Sequence, residues 1–127
     1  MTEPTALILY GFLVLLTLLL QATGALTQLG IGYLMGSRDE DRTVDGIAAR
    51  LARALDNSIT AMVLFAPAAL LIIVTDASTN ETRLAATAFV VARVIYLPSY
   101  AFGIVGLRSL AWTVGFFSTA LLYFLAL

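Results

Sequence analysis

Three stretches, Thr5 to Ser37, Asn57 to Thr75 and Ser109 to Leu127, contain no charged residue at all. Each has the length, about 20 apolar residues, that a helix needs to cross the hydrocarbon core of a bilayer. In lipid a helix satisfies its backbone polar groups within its own segment, so a chain built this way folds as membrane-spanning helices. Its hydrophobic content of 61% and mean hydropathy of +0.97 agree, because soluble domains hold about 45 to 50% apolar residues.

A fourth run, Leu84 to Leu107, is apolar except for Arg93 and carries Pro98, Gly103 and Gly106. The chain of 127 residues therefore reads as one domain, an all-α antiparallel bundle of four transmembrane helices over about 5–36, 47–75, 82–102 and 107–126. No Lys or Arg precedes the first run, and it is longer than the apolar part of a signal peptide, so it is expected to stay in the mature protein.

Arginines set the orientation. Arg38, Arg42, Arg50 and Arg53 lie at the first connection and the start of the second helix, and Arg108 at the third connection, against Arg83 alone on the other side. The positive-inside rule puts the arginine-rich connections in the cytoplasm and both termini outside it. A net charge of −1 argues against a nucleic-acid surface. With neither cysteine nor histidine in the chain, thiol nucleophiles, imidazole bases, disulfides and the common transition-metal ligand sets are excluded.

The first helix changes character midway. Ala6 to Leu20 is almost purely aliphatic, whereas Gln21 to Gly36 mixes Gln21, Thr23, Thr27 and Gln28 with Gly24, Gly30, Gly32 and Gly36. Small residues let helices approach closely. That half is expected to face protein, with further copies of the chain supplying the partner surface.

Two polar stripes interrupt the apolar pattern. On the second helix Arg50, Arg53, Asn57 and Thr60 recur at three- and four-residue steps and share one face, with Asp56 beside them as a partner for Arg53 or Arg50. Arginines at a helix end also serve as snorkelling anchors, and an asparagine also serves helix-helix hydrogen bonding, so both readings stand beside that of a polar pocket. On the third helix Arg93, Tyr96 and Tyr100 share a face in the same way. An arginine inside an apolar span is costly to bury and marks a functional site by default. The structural alternatives are an ion pair between Arg93 and Asp56, and interfacial anchoring by the tyrosines. Pro98 lacks a backbone donor and is expected to kink or end the helix and re-aim Tyr100.

Together the stripes offer guanidinium groups, an amide and two phenols near the cytoplasmic face, with Arg108 close by. Guanidinium forks hold carboxylates and phosphates by two-point contacts at any physiological pH, so the set reads as an anion site. It lacks a general base near neutrality, and chemistry there would rest on electrostatic activation of a bound nucleophile.

The stretches RLARALDNSITAMVLFAP, from Arg50 to Pro67, and VARVIYLPSYAFGIVGLRSLAW, from Val91 to Trp112, resemble the MAPEG family, membrane-associated proteins in eicosanoid and glutathione metabolism. The second stretch is most similar to the bacterial branch, which implies a bacterial cytoplasmic membrane. The resemblance implies a homotrimer that holds glutathione as co-substrate between neighbouring subunits and takes apolar electrophiles from the bilayer. It implies that Arg53 and Asn57 bind glutathione, that Tyr96 and Tyr100 line the same site with Arg93 preceding them, and that Arg108 stabilises the thiolate. The sequence departs from the family at Thr60, where glutathione-using members place a glutamate that pairs with the tripeptide's amino group.

Three functions compete on these residues. The first is a glutathione-dependent transferase or peroxidase. The second is a non-catalytic protein binding a lipid headgroup or fatty acid in the same cleft, and the third is a structural membrane scaffold.

Overall fold

The computed structural model describes residues 1–127 and contains five helices: α1 (Glu3–Leu29), α2 (Ile31–Met35), α3 (Gly46–Val74), α4 (Asn80–Ala101) and α5 (Val105–Leu125). Four of them, all but α2, are long and apolar enough to cross a membrane. The expected antiparallel four-helix architecture is thus present, with one change at the first run. That run does not continue to residue 36 as a single helix: Gly30 adopts φ 83°, ψ 156° and separates α1 from the one-turn α2. Only glycine takes such a conformation without strain.

The helix ends follow from local chemistry. Thr2 caps α1, its hydroxyl oxygen accepting from the Thr5 amide at 3.4 Å. Thr79 and Thr82 form a reciprocal capping box at the start of α4. At its other end α4 closes in a Schellman turn, where the Ile104 amide donates to Ser99 at 2.8 Å and Gly103 sits at φ 71°. Pro98 does not end the helix, since α4 runs on to Ala101 and the glycine makes the turn.

α4 lies at the centre of the bundle. It packs most extensively on α5 and also on α1 and α3, while α1 packs chiefly on α3; the backbones of α1 and α5 stay apart. One cluster, near the chain termini, joins Tyr10, Phe65, Ile72, Phe89 and Leu122. In it Phe65 and Phe89 stack at 3.9 Å, and the Tyr10 ring meets Phe89 edge-on at 4.8 Å. A second cluster at the opposite end gathers Leu51, Ala54, Tyr96, Leu97, Ala101 and Ala111. The outer faces expose Phe12, Leu19, Val63, Leu84 and Phe117, as lipid-facing surfaces do.

In the polar half of α1, Thr23, Thr27 and Gln28 make hydrogen bonds within the chain. Thr23 and Thr27 return their hydroxyls to the carbonyls four residues back. Gln28 clamps the backbone of Asp45, accepting from its amide at 2.9 Å and donating to its carbonyl at 3.1 Å. The connection 36–45 folds on Tyr33, whose hydroxyl accepts from the Arg42 amide at 2.6 Å while the Arg42 guanidinium lies over its ring at 4.9 Å. Arg42 also pairs with Glu40, which raises its pKa further above the usual arginine value. At the membrane's other side Glu3, almost wholly buried, accepts from Ser78 at 3.0 Å and from Thr82, tying the start of α1 to α4.

Candidate functional site

The two stripes run along the second cluster, which includes Tyr96, and reach inward to Arg93 and Asn57. Arg93 and Tyr100 are seven positions apart, about 10 Å along α4 at 1.5 Å per residue, and the cationic groups divide over that length.

At the end nearer the α4–α5 turn, the Arg53 Nε donates to the Tyr100 hydroxyl at 3.2 Å, and the Arg108 guanidinium lies 4.9 Å from the centre of the same ring. Tyr96 leans on Tyr100 with 5.6 Å between ring centres. Tyr96 and Arg108 also line a recess of about 160 Å³ shared with Ser109, Trp112 and Thr113. Arg50 is directed elsewhere. Its Nη1 donates to the Ala101 carbonyl at 3.4 Å and its guanidinium covers Gly103, so it sits on the exposed carbonyls at the negative end of α4.

Deeper in the bundle, Arg93 is only 3% exposed. Its Nη2 donates to the Ser58 hydroxyl at 3.1 Å, and its guanidinium faces the Tyr96 ring at 4.0 Å and the Tyr10 ring at 5.9 Å. Tyr10 is held in turn by donating to the Ser58 carbonyl at 2.8 Å. Cation–π contacts of this kind are worth up to about 2 kcal/mol when desolvated. They soften the cost of burying the charge without cancelling it. The Nε of Arg93 and the Oδ1 of Asn57 are both buried and have no hydrogen-bond partner.

The ion pairs that stood as structural alternatives for Asp56, with Arg50, Arg53 or Arg93, do not form. The single ion pair in the chain is Arg42–Glu40, and Asp56 projects from the exposed side of α3 while its neighbours Asn57 and Ser58 turn inward. The guanidinium groups of Arg53, Arg93 and Arg108 therefore stand without any carboxylate. Thr60 is occupied locally, its hydroxyl donating to the Asp56 carbonyl one turn back at 3.0 Å.

A groove of about 260 Å³ opens between α3 and α5, with α4 as its floor. Asn57, Arg93 and Trp112 stand at one end and Leu64 and Tyr123 at the other, with Phe89 and Phe116 between them. It exists because α5 leans on α4 more than on α3. Gly115 lies on the groove wall beside the Arg93 stem, where a Cβ would make ordinary contact with the Arg93 Cδ at 3.6 Å.

The structure thus brings Arg53, Tyr96, Tyr100 and Arg108 together, puts Arg93 and Asn57 on an adjoining groove, and sends Arg50 and the Thr60 hydroxyl to backbone carbonyls. Sequence reasoning passed over Tyr10, Ser58, Trp112 and Gly115. Ser58 follows Asn57 directly, and Trp112 lies one turn after Arg108, so the helical spacing around known stripe residues could have found both. Nothing in the first helix marks Tyr10, since its contact is made across the bundle.

No curated protein and no solved structure matches the chain. The model of the MAPEG family matches residues 5–127, essentially the entire sequence. With four apolar membrane helices and a match of that extent, the chain belongs to the MAPEG family.

Proposed function

We propose that this MAPEG-family membrane protein is a thiol transferase that binds glutathione, or a similar acidic thiol, at Arg53, Tyr96, Tyr100 and Arg108. The single observation that carries the reading is that these arginines are gathered around two phenols with no carboxylate beside them. An acidic peptide would supply the missing charge by two-point contacts, and Asn57 lies within the length of such a ligand. The Arg53 side is exposed on the single chain, which suits a homotrimer whose neighbouring subunit closes the site. The arginine-rich end faces the cytoplasm, where the thiol is available, in a bacterial cytoplasmic membrane.

Arg108 activates the thiol electrostatically. Lowering a thiol pKa from about 8.5 by two units requires about 2.7 kcal/mol of preferential thiolate stabilisation. One guanidinium 4 Å away supplies about 4 kcal/mol at an effective dielectric constant of 20. The thiol proton leaves to water. The thiolate sulfur then attacks an electrophilic carbon delivered from the bilayer, forming a C–S bond as the leaving group departs.

The test is thermal unfolding in mild detergent against rising glutathione, paired with conjugation of chlorodinitrobenzene. A ligand at a hundredfold excess over its Kd adds about 2.7 kcal/mol of apparent stability. A saturable rise that disappears in Arg53→Ala, with chloride release, supports the transferase. A second reading, a non-catalytic amphiphile binder, draws on the apolar walls of the α3–α5 groove and on Thr60, which presents no carboxylate to an amino group. Stabilisation by lipid but not by glutathione would favour it over the transferase.

A further inference from the structure

Three hydrogen bonds tie α3 to the α4–α5 pair, and each is made by an arginine. Arg93 bonds Ser58 deep in the bundle, and Arg53 bonds Tyr100 at the site. The third, from Arg50 Nη1 to the Ala101 carbonyl at 3.4 Å, lies outside both and holds only backbone. The Arg50 guanidinium also lies face-on over Gly103, its Cζ, Nη1 and Nη2 standing 3.3, 3.4 and 3.5 Å from the place a Cβ would take. Glycine is needed there twice, for φ 71° and for the close approach.

The turn under Arg50 has little else to hold it. Every residue from Phe102 to Leu107 is exposed, and Ile104 begins α5 without a side-chain cap. α5 also packs far less on α3 than on α4. The Arg108 amide donates to the Ile104 carbonyl at 3.0 Å, so Arg108 hangs from the first turn of α5 and moves with it. Arg50 and Arg53, three positions apart, share one face of α3. The group that pins the α4–α5 turn thus stands one helical turn from the arginine that faces Arg108 across Tyr100.

We propose that Arg50 is a positioning residue, which sets the gap between Arg53 on α3 and Arg108 on α5 and so the distance from Arg108 to a thiol held between them. The chemical consequence rests on the thiol-transferase reading; the geometric claim does not. A guanidinium that retreats from about 4 to about 6 Å from a thiolate loses about a third of its attraction, about tenfold in thiolate stabilisation at an effective dielectric constant of about 20. Arg50→Ala should therefore raise the midpoint of the rate's pH dependence by about one unit, with KM for glutathione little changed because Arg53 stays. Below that midpoint the rate falls about tenfold, and well above it the rate recovers. A merely structural loss would lower the rate by one factor at every pH.

Two measurements on the full chain in mild detergent test this. The first is the distance between spin labels on Ile47→Cys and Leu110→Cys, exposed positions on α3 and α5 of a chain without cysteine, with labelled chains diluted into unlabelled ones. Arg50→Ala should widen the distance distribution and lengthen its mean; an unchanged distribution overturns the proposal. The second is the pH dependence of glutathione conjugation to chlorodinitrobenzene in the unmodified chain, Arg50→Ala, Arg50→Lys and Gly103→Ala. Gly103→Ala pushes the guanidinium off the turn but keeps its charge, so it should reproduce the Arg50→Ala shift, and the double variant should shift no further. Arg50→Lys keeps a donor for the Ala101 carbonyl without the planar cover and should restore part of the rate. A shift in Arg50→Ala that Gly103→Ala lacks means that the Arg50 charge acts directly, and overturns the positioning role. If unfolding temperature and elution volume show that Arg50→Ala does not fold, Gly103→Ala and Arg50→Lys carry both comparisons. No turnover in the unmodified chain would sink the transferase reading, and the distance measurement would still decide the role of Arg50.

Discussion

Replacing Phe89 and Phe65 separately by alanine measures whether the α3–α5 groove is open to the surrounding lipid. The two rings stack at 3.9 Å with 5° between their planes and are 1% and 0% exposed. Each also meets the Tyr10 ring edge-on. Losing two aromatic pairs costs about 1 to 3 kcal/mol in either case. In a bilayer the unfolded helices remain among apolar chains, so the hydrophobic transfer contribution that dominates in water is largely missing. The cavity then decides the difference. Phe65 is enclosed, and an alanine there leaves a void that adds about 2 kcal/mol, at about 24 cal/mol per Å³ for a residual cavity of about 80 Å³. Phe89 forms the groove floor, so an acyl or detergent chain can occupy the vacated space, leaving only the ring-pair loss of about 1 to 3 kcal/mol. Phe65→Ala should therefore be the more damaging by about 2 kcal/mol, as measured by equilibrium unfolding in mixed micelles followed by circular dichroism. Equal costs, or a greater cost at Phe89, would refute the open-groove reasoning.

Other outcomes follow from single contacts. Gly103→Ala puts a Cβ at φ 71° and within 3.3 Å of the Arg50 Cζ, so it should cost about 1 to 3 kcal/mol in the same unfolding assay, and Arg50→Ala should relieve part of that cost. Tyr100→Phe removes the acceptor for the Arg53 Nε but keeps the ring under Arg108; stability should change by less than about 1.5 kcal/mol while glutathione affinity, read by thermal shift, changes with the freed arginine. Because the chain has no cysteine, Thr43→Cys and Asn80→Cys report orientation directly: an impermeant maleimide should label Asn80→Cys but not Thr43→Cys in intact cells, and the reverse pattern would invert the topology.

Element by element, the helices were legible because a bilayer leaves few alternatives. Charge-free runs of about 20 residues have to become helices wherever their backbone is surrounded by lipid, and the interruptions at Arg38 to Asp45 and at Asp76 to Asn80 are too polar to stay inside. The break at Gly30 was hidden, since glycine occurs within membrane helices as well as between them. At the site, three- and four-residue spacing put Arg53 with Asn57 and Arg93 with Tyr96 and Tyr100 on their own faces, because the period of a helix is fixed by its backbone.

The sequence by itself determined which face each helix presents and that several permanent positive charges lie inside the apolar region. Only the tertiary structure decided which of those charges are spent. Arg50 lies on the α4 C-terminus, Arg93 between two tyrosine rings, and Arg53 and Arg108 flank one phenol. Asp56, the neighbour that sequence spacing offered as their partner, turns away from all of them. The reason is that pairing across helices depends on rotation and lean, which are set by packing of distant residues such as Tyr10 on Phe89 and Gly115 beside Arg93. Periodicity along one helix carries no record of how its neighbour is turned.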